Sequence, residues 1–398
     1  MNYSRVILFE NAIETLTFFS HQIADALEQH GLETLFVDMN DLSQAPARIR
    51  AFASGGTCAV LTFNYIGFSG EESFQLSSGE SLWDALALPC YNILVDHPLY
   101  YYKQLQLYSP RMTLFCVDRT HVRFLQKYYP HIVKLHFLPL AGTRLPNRTD
   151  FIPFSERTHD IVFTANYVTM DTIQSRFDAA PPEYRAFYRE TLDCFLTNPD
   201  RTLEDVFASE ILRVEPGASV AETLGAMRGM LFLDLVIRSH YRREIISRLA
   251  DAGLSVYIVG KDWEALDCKH PENITCVGQK DTVACLTEIG KAKLSLNILP
   301  WFKDGAHDRI FSSMLQKTAC VSDSSPYLQE ILEPKRDFLP FSLKDLDALP
   351  QLLYNTLQNE TLWASIATFS YEKASTQHTW AARTQQLLNV IHSEEDTW

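Results

Sequence analysis

One short segment in the second half of the chain, Lys303–Leu315, carries the densest set of residues suited to chemistry. Gly305 permits a tight turn and the apolar spacing after it is helical, which places His307, Asp308 and Arg309 at or just before a helix N-terminus. Unpaired amide N–H groups and the helix dipole favour a phosphate there, and arginine binds phosphate through two parallel hydrogen bonds. The same spacing also fits a surface helix whose arginine pairs with a nearby carboxylate, so both interpretations stay open at this point.

A second candidate lies in Val95–Tyr102, where Asp96 and His97 end a predicted buried strand and Pro98 turns the chain away from it. Side chains at the carboxyl edge of a parallel sheet face the crevice in which ligands bind. His97, oriented by Asp96, is therefore predicted to act as a general base on an acceptor hydroxyl. The alternative is structural: Asp96 caps the next helix and His97 packs beneath three tyrosines. Further acceptor-side candidates follow the first and third predicted strands: Glu10, Asn11, Asn64 and Tyr65.

Positioning these residues requires strands that alternate with helices. Short apolar runs predict strands in the first 145 residues at 5–9, 34–38, 58–63, 91–95, 113–117 and 134–138. A mostly polar linker follows at 140–159. Further strands are predicted at 160–164, 255–259, 274–277, 294–298 and 319–322, with a helix-rich insertion at about 170–250. This alternation predicts two α/β domains, each built on a buried parallel sheet, with a cleft between them.

The composition excludes several classes of protein. The chain has 398 residues, 46% of them hydrophobic and 21% charged, which is typical of a globular protein with two domains. The net charge of −14 argues against nucleic-acid or anionic-membrane binding. No apolar run is long enough for a transmembrane segment, and the start of the chain does not resemble a signal peptide. The eight cysteines contain no Cys-x-x-Cys pair, so we expect reduced thiols and a cytoplasmic protein.

The motifs that are absent narrow the chemistry further. The sequence has no G-x-G-x-x-G, Walker A, G-x-S-x-G or H-E-x-x-H pattern, which argues against dinucleotide oxidoreductases, P-loop NTPases, α/β-hydrolases and zincins. Asp345 and Asp347 match an Asp-x-Asp pattern that holds a metal–nucleotide pair in some transferases. We interpret them as acidic first-turn residues of an amphipathic helix, and predict no metal site.

Several segments together resemble the nucleotide-sugar half of group 1 glycosyltransferases, and most closely the CgeB-like branch. The strongest resemblance is Gly305–Asp323, an Arg-apolar-Phe helix followed by a turn, a strand and Ser-Asp. Asp160–Tyr167 resembles the strand that opens this half, Val259–Trp263 its second strand and turn, and His378–Arg383 the closing helix. The resemblance covers about 160–170 and 254–398, whereas the first half matches only in its alternation of strands and helices.

The resemblance implies a GT-B fold, in which two Rossmann-like domains face a cleft. The donor would lie in the C-terminal domain at 158–375, the acceptor would face the N-terminal domain at 1–150, and 376–398 would form a closing helix. Residues implied at the nucleotide-sugar site are Arg309, His307, Asp308, Gly305, Ser312, Gly260, Lys261, Asn166 and Tyr167. Ser312 stands where the family typically has a glutamate that holds the ribose hydroxyls, and one hydroxyl cannot clamp two others as a carboxylate does.

The expected function is therefore the transfer of a sugar from a nucleotide-diphosphate sugar, most simply a UDP-sugar, without a cofactor or an obligatory metal. The acceptor is a protein, a glycan or a small molecule. Two alternatives remain: a nucleotide-sugar epimerase on the same fold, and a non-catalytic nucleotide-sugar-binding or scaffold protein, which the serine at position 312 would favour.

Overall fold

The structure is a computed structural model that describes residues 3–145 and 150–395. Residues 146–149 of the predicted linker, together with 1–2 and 396–398 at the ends of the predicted domains, lie outside the described residues. The chain folds into two compact units, Met1–Ala141 with His378–Trp398, and Gly142–Gln377. The predicted division between 150 and 158 therefore lies several residues after the division between these units, and the predicted closing helix belongs to the first unit.

The described residues contain twelve β-strands: β1 (Arg5–Glu10), β2 (Glu33–Asp38), β3 (Cys58–Phe63), β4 (Cys90–Leu94), β5 (Met112–Cys116), β6 (Leu135–Phe137), β7 (His159–Thr164), β8 (Val256–Val259), β9 (Ile274–Cys276), β10 (Ala292–Asn297), β11 (Ala319–Asp323) and β12 (Leu339–Phe341).

The same residues contain sixteen α-helices: α1 (Glu14–Gln29), α2 (Ala45–Ser54), α3 (Leu82–Ala85), α4 (Tyr102–Gln106), α5 (Arg119–Tyr128), α6 (Met170–Asp178), α7 (Pro182–Thr197), α8 (Leu203–Val214), α9 (Val220–Met230), α10 (Phe232–Asp251), α11 (Thr282–Gly290), α12 (Asp308–Leu315), α13 (Pro326–Ile331), α14 (Leu349–Leu357), α15 (Glu360–Gln377) and α16 (Trp380–Glu395).

The first unit is built on a six-stranded parallel sheet with the order β2-β1-β3-β4-β5-β6. Strands β3, β4 and β5 are buried at every residue, as expected for parallel strands covered on both faces. Helix α16 packs here, because the ring of Trp380 lies 4.5 Å from that of Phe19 and 5.8 Å from that of Phe63. The strand order reverses between β1 and β3, so their carboxyl ends form the position where such sheets bind ligands.

The second unit is built on another six-stranded parallel sheet, with the order β12-β11-β10-β7-β8-β9. Its order reverses between β7 and β10, which places the ligand-binding position of this unit at the carboxyl ends of those two strands. The prediction of two Rossmann-like α/β domains is confirmed. The helix-rich stretch consists of α6 to α10, and α10 leads directly into β8.

The eleven predicted strands are confirmed to within two residues at each end. Strand β12 was missed because Pro340 interrupts its short apolar run, and proline is tolerated here since β12 lies at the edge of the sheet. Asp345 and Asp347 precede α14 rather than lying in its first turn, and Asp347 accepts a hydrogen bond from Arg248 at 3.1 Å.

The eight cysteines form no disulfide bond. No helix in the described part of the chain has both the length and the apolar character needed to cross a membrane.

Candidate functional site

The site in the second unit lies where β7 ends and where the loop after β10 enters α12. Helix α12 begins at Asp308 with His307 at its N-cap position, as the spacing predicts, and six of its eight residues are buried, so the helix start is held firmly. The loop before it is anchored at two points. The amide of Leu299 donates to Asp323 Oδ1 at 2.5 Å, and Ser325 Oγ donates to the carbonyl of Gly305 at 2.6 Å.

Arg309 points to the end of β7 instead of lying on the surface. Its Nη1 donates to the carbonyl of Thr164, the last residue of β7, at 2.7 Å. The alternative of a surface helix with a simple ion pair is therefore wrong for this residue. Burial and the charge of Arg238 lower the pKa of Arg309, with Asp308 opposing them, although an arginine remains charged at neutral pH.

His307 links the two charged residues beside it. Its Nε2 lies 2.8 Å from Nη2 of Arg309, and its Nδ1 lies 2.5 Å from Oδ1 of Asp308. Burial and the charge of Arg309 lower the pKa of His307, so the imidazole is neutral at pH 7. With the proton on Nδ1, Nε2 accepts from the guanidinium and Nδ1 donates to the carboxylate, whereas the other tautomer would let Nδ1 accept the amide of Arg309, which lies 3.3 Å away. Burial opposes the ionisation of Asp308, but His307 and Arg309 together lower its pKa.

Two further arginines reach the same position from α10. Arg242 Nη1 donates to the carbonyl of Asn166 at 2.6 Å, in the turn after β7. Arg238, one helical turn earlier, makes a two-point ion pair with Asp234, with nitrogen–oxygen distances of 2.9 Å. Burial, Arg309 and Arg238 lower the pKa of Arg242 to about 9. Positive charge is therefore concentrated here beyond what the neighbouring carboxylates neutralise, which is the electrostatic signature of an anion site.

Arg238 and Arg242 are site residues that the sequence pattern alone does not indicate. They are four residues apart and so share one face of a helix, but this pattern is also that of a solvated helix face. Their position on the last helix before β8 is a sequence signal that could have indicated a role. In α/β folds, ligands bind at the carboxyl ends of the strands, and this helix connects two strands of the sheet.

The predicted residues Gly260, Lys261, Asn166 and Tyr167 come together in two neighbouring turns. Asn166 Oδ1 accepts from the amide of Lys261, and the amide of Tyr167 donates to the carbonyl of Lys261, both at 3.0 Å. A Cβ on Gly260 would lie 1.9 Å from the carbonyl oxygen of Ala165, so this glycine is needed for the close approach of the turns. Tyr167 is buried and stacks on Trp263 with centroids 5.1 Å apart. This stack forms part of the wall of the site, and the contact of Tyr167 with a donor stays a prediction.

Ser312, which stands where the resembled family has a glutamate, lies inside the second unit. Its side chain is buried and its Oγ accepts a hydrogen bond from the amide of Thr143 at 3.0 Å. The neighbouring Gly142 packs on α12, because a Cβ there would lie 2.4 Å from the backbone of Phe311. Ser312 thus fastens the segment after the first unit to α12, and its predicted contact with a ribose has no support from this geometry.

Asp323 at the end of β11 is a buried carboxyl that the sequence analysis did not single out. Burial raises its pKa from 3.8 to about 7, while the Leu299 amide and the charge of Lys303 oppose this. Between these pH values the folded protein holds a proton that the unfolded chain has lost, so stability decreases as the pH rises from 4 to 7.

Asp323→Asn should remove this loss of stability. An amide oxygen still accepts from Leu299, and at pH 8 the variant should be more stable than the parent by up to about 4 kcal/mol, with a smaller difference at pH 5. Urea unfolding at both pH values measures the change, with the exposed Asp345→Asn as control. A difference that does not vary with pH would contradict the proposed protonation of Asp323.

Three residues come together at the carboxyl edge of the sheet in the first unit: the predicted Asn64 and Asp96, and Tyr101 nearby. Asn64 Nδ2 donates to Asp96 Oδ2 at 2.9 Å, and Tyr101 Oη donates to the same oxygen at 3.1 Å. Burial and the neighbouring Asp96 raise the pKa of Tyr101, so its hydroxyl stays protonated. Asp96 Oδ1 has no hydrogen-bond partner among the described residues, and the side chain is exposed. Asn64 and Tyr65 both have positive φ, 53° and 60°, which marks a strained turn.

His97 does not have the arrangement expected of a base oriented by Asp96. It is buried, its Nδ1 accepts the amide of Leu99 at 3.1 Å as an N-cap, and its ring lies 4.8 Å from His121 and 4.9 Å from Phe124. The geometry of His97 therefore agrees better with a structural role than with a catalytic one. The residue that caps the following helix is His97, however, and not Asp96.

Glu10 and Asn11 lie at the end of β1, on the other side of the strand reversal. Glu10 Oε2 is 3.1 Å from His21 Nε2, and Asn11 Nδ2 donates to Asp38 Oδ1 at 2.9 Å. Asn11 also has a positive φ of 64°. The acceptor-side prediction for these residues stays a prediction. Among the described residues, no group of three or more His, Cys, Asp or Glu side chains is arranged to hold a metal ion.

Solved structures with the same architecture extend over nearly the whole chain. Sucrose-phosphate synthase from Thermosynechococcus elongatus is 12% identical over 99% of this chain and 100% of that one, with a TM-score of 0.55. A glycosyltransferase from Rickettsia africae is 10% identical over 98% of each chain, with a TM-score of 0.53. HepE from Anabaena, solved with UDP and glucose, is 9% identical over 98% and 100%, with a TM-score of 0.52. Such low identity establishes the fold, which is GT-B.

The family described as glycosyl transferase-like matches residues 238–389. The chain therefore has the fold of GT-B glycosyltransferases, and its second half matches a glycosyltransferase-like family. No curated protein sequence matches it, and the CgeB-like branch stays a prediction. The matched part of the chain begins at Arg238 and contains Arg242, Arg309 and the turn at Lys261, whereas Asp96 and Asn64 of the first unit lie outside it.

Proposed function

We propose that this glycosyltransferase transfers a sugar from a UDP-sugar to a hydroxyl group of an acceptor, with no metal required. The observation that carries the proposal is the pair of guanidinium groups of Arg242 and Arg309. They are held on the carbonyl of Asn166 in the turn after β7 and on that of Thr164 at the end of β7. Apart from its bond to Asn166, Arg242 has no hydrogen-bond partner among the described residues, so its other N–H groups are available to a phosphate.

The diphosphate is the leaving group of such a reaction, and its negative charge grows as the bond to the sugar breaks. Fixed positive groups that face this charge lower the barrier, because they need no reorganisation during the step. Arg242 and Arg309 supply that charge, and the N-terminus of α12 adds amide N–H groups. The guanidinium groups thus take the part that a divalent cation plays in metal-dependent transferases, which supports metal independence.

The acceptor hydroxyl must lose a proton when its oxygen attacks the sugar carbon. Asp96 suits this task, because Asn64 and Tyr101 fix one carboxylate oxygen and the other is open to solvent. Direct attack with this base would invert the configuration of the sugar carbon.

The choice of UDP rests on structures that share the fold. HepE was solved with UDP and with UDP-glucose, and an α-glucosyltransferase with UDP and a 13-mer DNA. These proteins differ in what accompanies UDP, namely glucose in one case and DNA in the other. The acceptor is therefore specific to each protein, and for this chain it is a protein, a glycan or a small molecule.

A thermal-shift screen followed by product analysis tests this function. UDP at about a hundred times its dissociation constant should stabilise the protein by roughly 2.7 kcal/mol, a rise of a few degrees, and GDP and ADP should act less. With a UDP-sugar and a library of hydroxyl acceptors, UDP release should depend on the acceptor and persist in EDTA. An epimerase would instead change the sugar without an acceptor, and a non-catalytic protein would bind without turnover. The absence of any shift with UDP or UDP-sugars would contradict the proposal.

A further inference from the structure

The first unit contains a cavity that begins at the turn after β3, beside the proposed acceptor side, and extends away from it. Its volume is about 670 Å³, within the range of pockets that bind small molecules. It extends from the turn at Tyr65 to Cys90 and Met112, the first residues of β4 and β5. The cavity thus reaches the amino-terminal ends of these strands, whereas the acceptor-side residues of the proposed function lie at the carboxyl ends.

Aromatic rings form much of the cavity wall. Trp83 stacks on Phe68 with centroids 5.0 Å apart and an interplanar angle of 23°, and Phe74 lies 5.0 Å from the same ring. The indole nitrogen of Trp83 donates to the carbonyl of Gly67 at 2.7 Å, so its polar atom is already paired. Because the deeper residues Leu88 and Met112 are also apolar and buried, the wall favours a flat apolar group.

One polar group inside the wall lacks a partner. Tyr65 is 3% exposed, and its hydroxyl is buried with no hydrogen bond among the described residues. Burial raises the pKa of Tyr65, so this hydroxyl remains a donor at any physiological pH. The hydroxyl itself has almost no accessible surface, so Tyr65 contributes its ring to the cavity wall and no hydrogen bond to a ligand.

The rim of the cavity carries two carboxylates and two cations, and it is the cations that keep N–H groups available to a ligand. The two carboxylates are engaged locally, because Glu71 accepts from the amides of Gly67 and Ser69 and Asp84 accepts from Ser81 Oγ. By contrast, the exposed Lys103 has no hydrogen-bond or ion-pair partner in the part of the chain that the structure describes. Arg111, also exposed, reaches only the carbonyl of Ala87, at 3.4 Å.

We infer that this cavity binds a small flat aromatic acid, with its rings against Trp83 and Phe68 and its acidic group at Lys103 and Arg111. Two independent features point to this chemistry: an aromatic wall and two cations at the mouth. The inference goes beyond the proposed transfer reaction, because it needs neither the UDP-sugar site nor Asp96.

Isothermal titration of the full-length protein with naphthalene-2-carboxylate tests the inference. We expect saturable binding of one molecule per chain with a dissociation constant of about 0.1 mM, in keeping with the size of the probe. Lys103→Glu combined with Arg111→Glu should weaken binding at least about tenfold, since both attractive charges are reversed. Gln104→Trp, which fills the cavity from α4, should abolish it.

The controls separate this site from general effects. Lys127→Glu reverses an exposed charge elsewhere in the same unit and should leave the dissociation constant unchanged. Decanoate carries the same charge on a flexible chain and should bind several-fold more weakly than the naphthalene compound; equal or tighter binding would overturn the aromatic assignment. UDP affinity of Gln104→Trp should equal that of the parent, which shows that the variant is folded. Absence of saturable binding, or binding that both sets of variants leave intact, would overturn the inference whatever the outcome for UDP.

Discussion

Arg242→Met should reduce the affinity for UDP by about a hundredfold, and Arg309→Met should have an effect of similar size. A charge-assisted hydrogen bond to phosphate contributes roughly 1.5–3 kcal/mol, and loss of the positive charge adds to this. The two variants differ in what else they remove. Arg242 makes a single hydrogen bond, to the carbonyl of Asn166. Arg309 makes contacts with two residues, the carbonyl of Thr164 and the side chain of His307. The Arg309→Met variant should therefore also lose thermal stability, and the Arg242→Met variant should lose little.

The matched control for this test lies on the same helix. Arg248 follows Arg242 on α10, but its guanidinium is paired with Glu244 and with Asp347 at 3.1 Å. Arg248→Met should leave the dissociation constant of UDP within about twofold, because its charge is already neutralised by these partners. Calorimetric titration with UDP measures all three variants. If the Arg242→Met variant binds UDP as tightly as the parent, the phosphates lie elsewhere and the proposed donor site is wrong.

The parallel sheets were predictable because burial on both faces leaves a continuous apolar run in the sequence. Strands such as β3 and β5 are buried at every residue, and their limits follow from the polar residues around them. Strand β12 lies at an edge and contains a proline, so it does not leave this trace. The fold class therefore follows from the interior strands, and the edge strand needs the structure.

The candidate donor site was only half predictable. The N-terminus of α12 with Arg309 depends on a local pattern of glycine, polar residues and helical spacing, and such patterns are visible in a sequence. The contact between Arg242 and Asn166 joins residues 76 positions apart, and nothing local to either residue indicates it. The serine at position 312, in place of the family's glutamate, was visible in the sequence, but the contact that this serine makes was not. The serine binds the amide of Thr143, which is a contact across 169 positions.

The structure favours Asp96 over His97 as the base, and the reason is physical. Pro98 follows His97 and starts a short helix, so the residue before it becomes the N-cap. His97 Nδ1 then accepts the amide of Leu99, and the ring turns inward beside Phe124. Histidine is an unusual cap, so the sequence favoured Asp96 for that position. The structure leaves Asp96 outside, where Asn64 and Tyr101 hold it.

Asp96→Asn should reduce sugar transfer by about a hundredfold or more while the affinity for UDP-sugar stays unchanged. An amide has nearly the shape of the carboxylate, and its oxygen can still accept from Asn64 Nδ2 and Tyr101 Oη. It cannot take a proton from the acceptor, and general-base catalysis typically contributes 10²–10⁴-fold. Turnover in the presence of saturating donor and acceptor measures the loss. The control is Asp41→Asn in the same unit, whose carboxylate is bonded to Ser43 and which should keep full activity.

A second variant, at His97, distinguishes between Asp96 and His97 as the catalytic base. His97→Asn removes the imidazole, and because His97 is buried and caps the chain after β4, its main effect should be a lower melting temperature. At a temperature where the variant is fully folded, its turnover should stay within a few-fold of the parent. If the His97 variant is folded and inactive while the Asp96 variant transfers sugar normally, His97 is the base and the exposed oxygen of Asp96 has no part in catalysis. If both variants are fully active, the proton leaves by another route, and an inverting mechanism with a base on this edge is excluded.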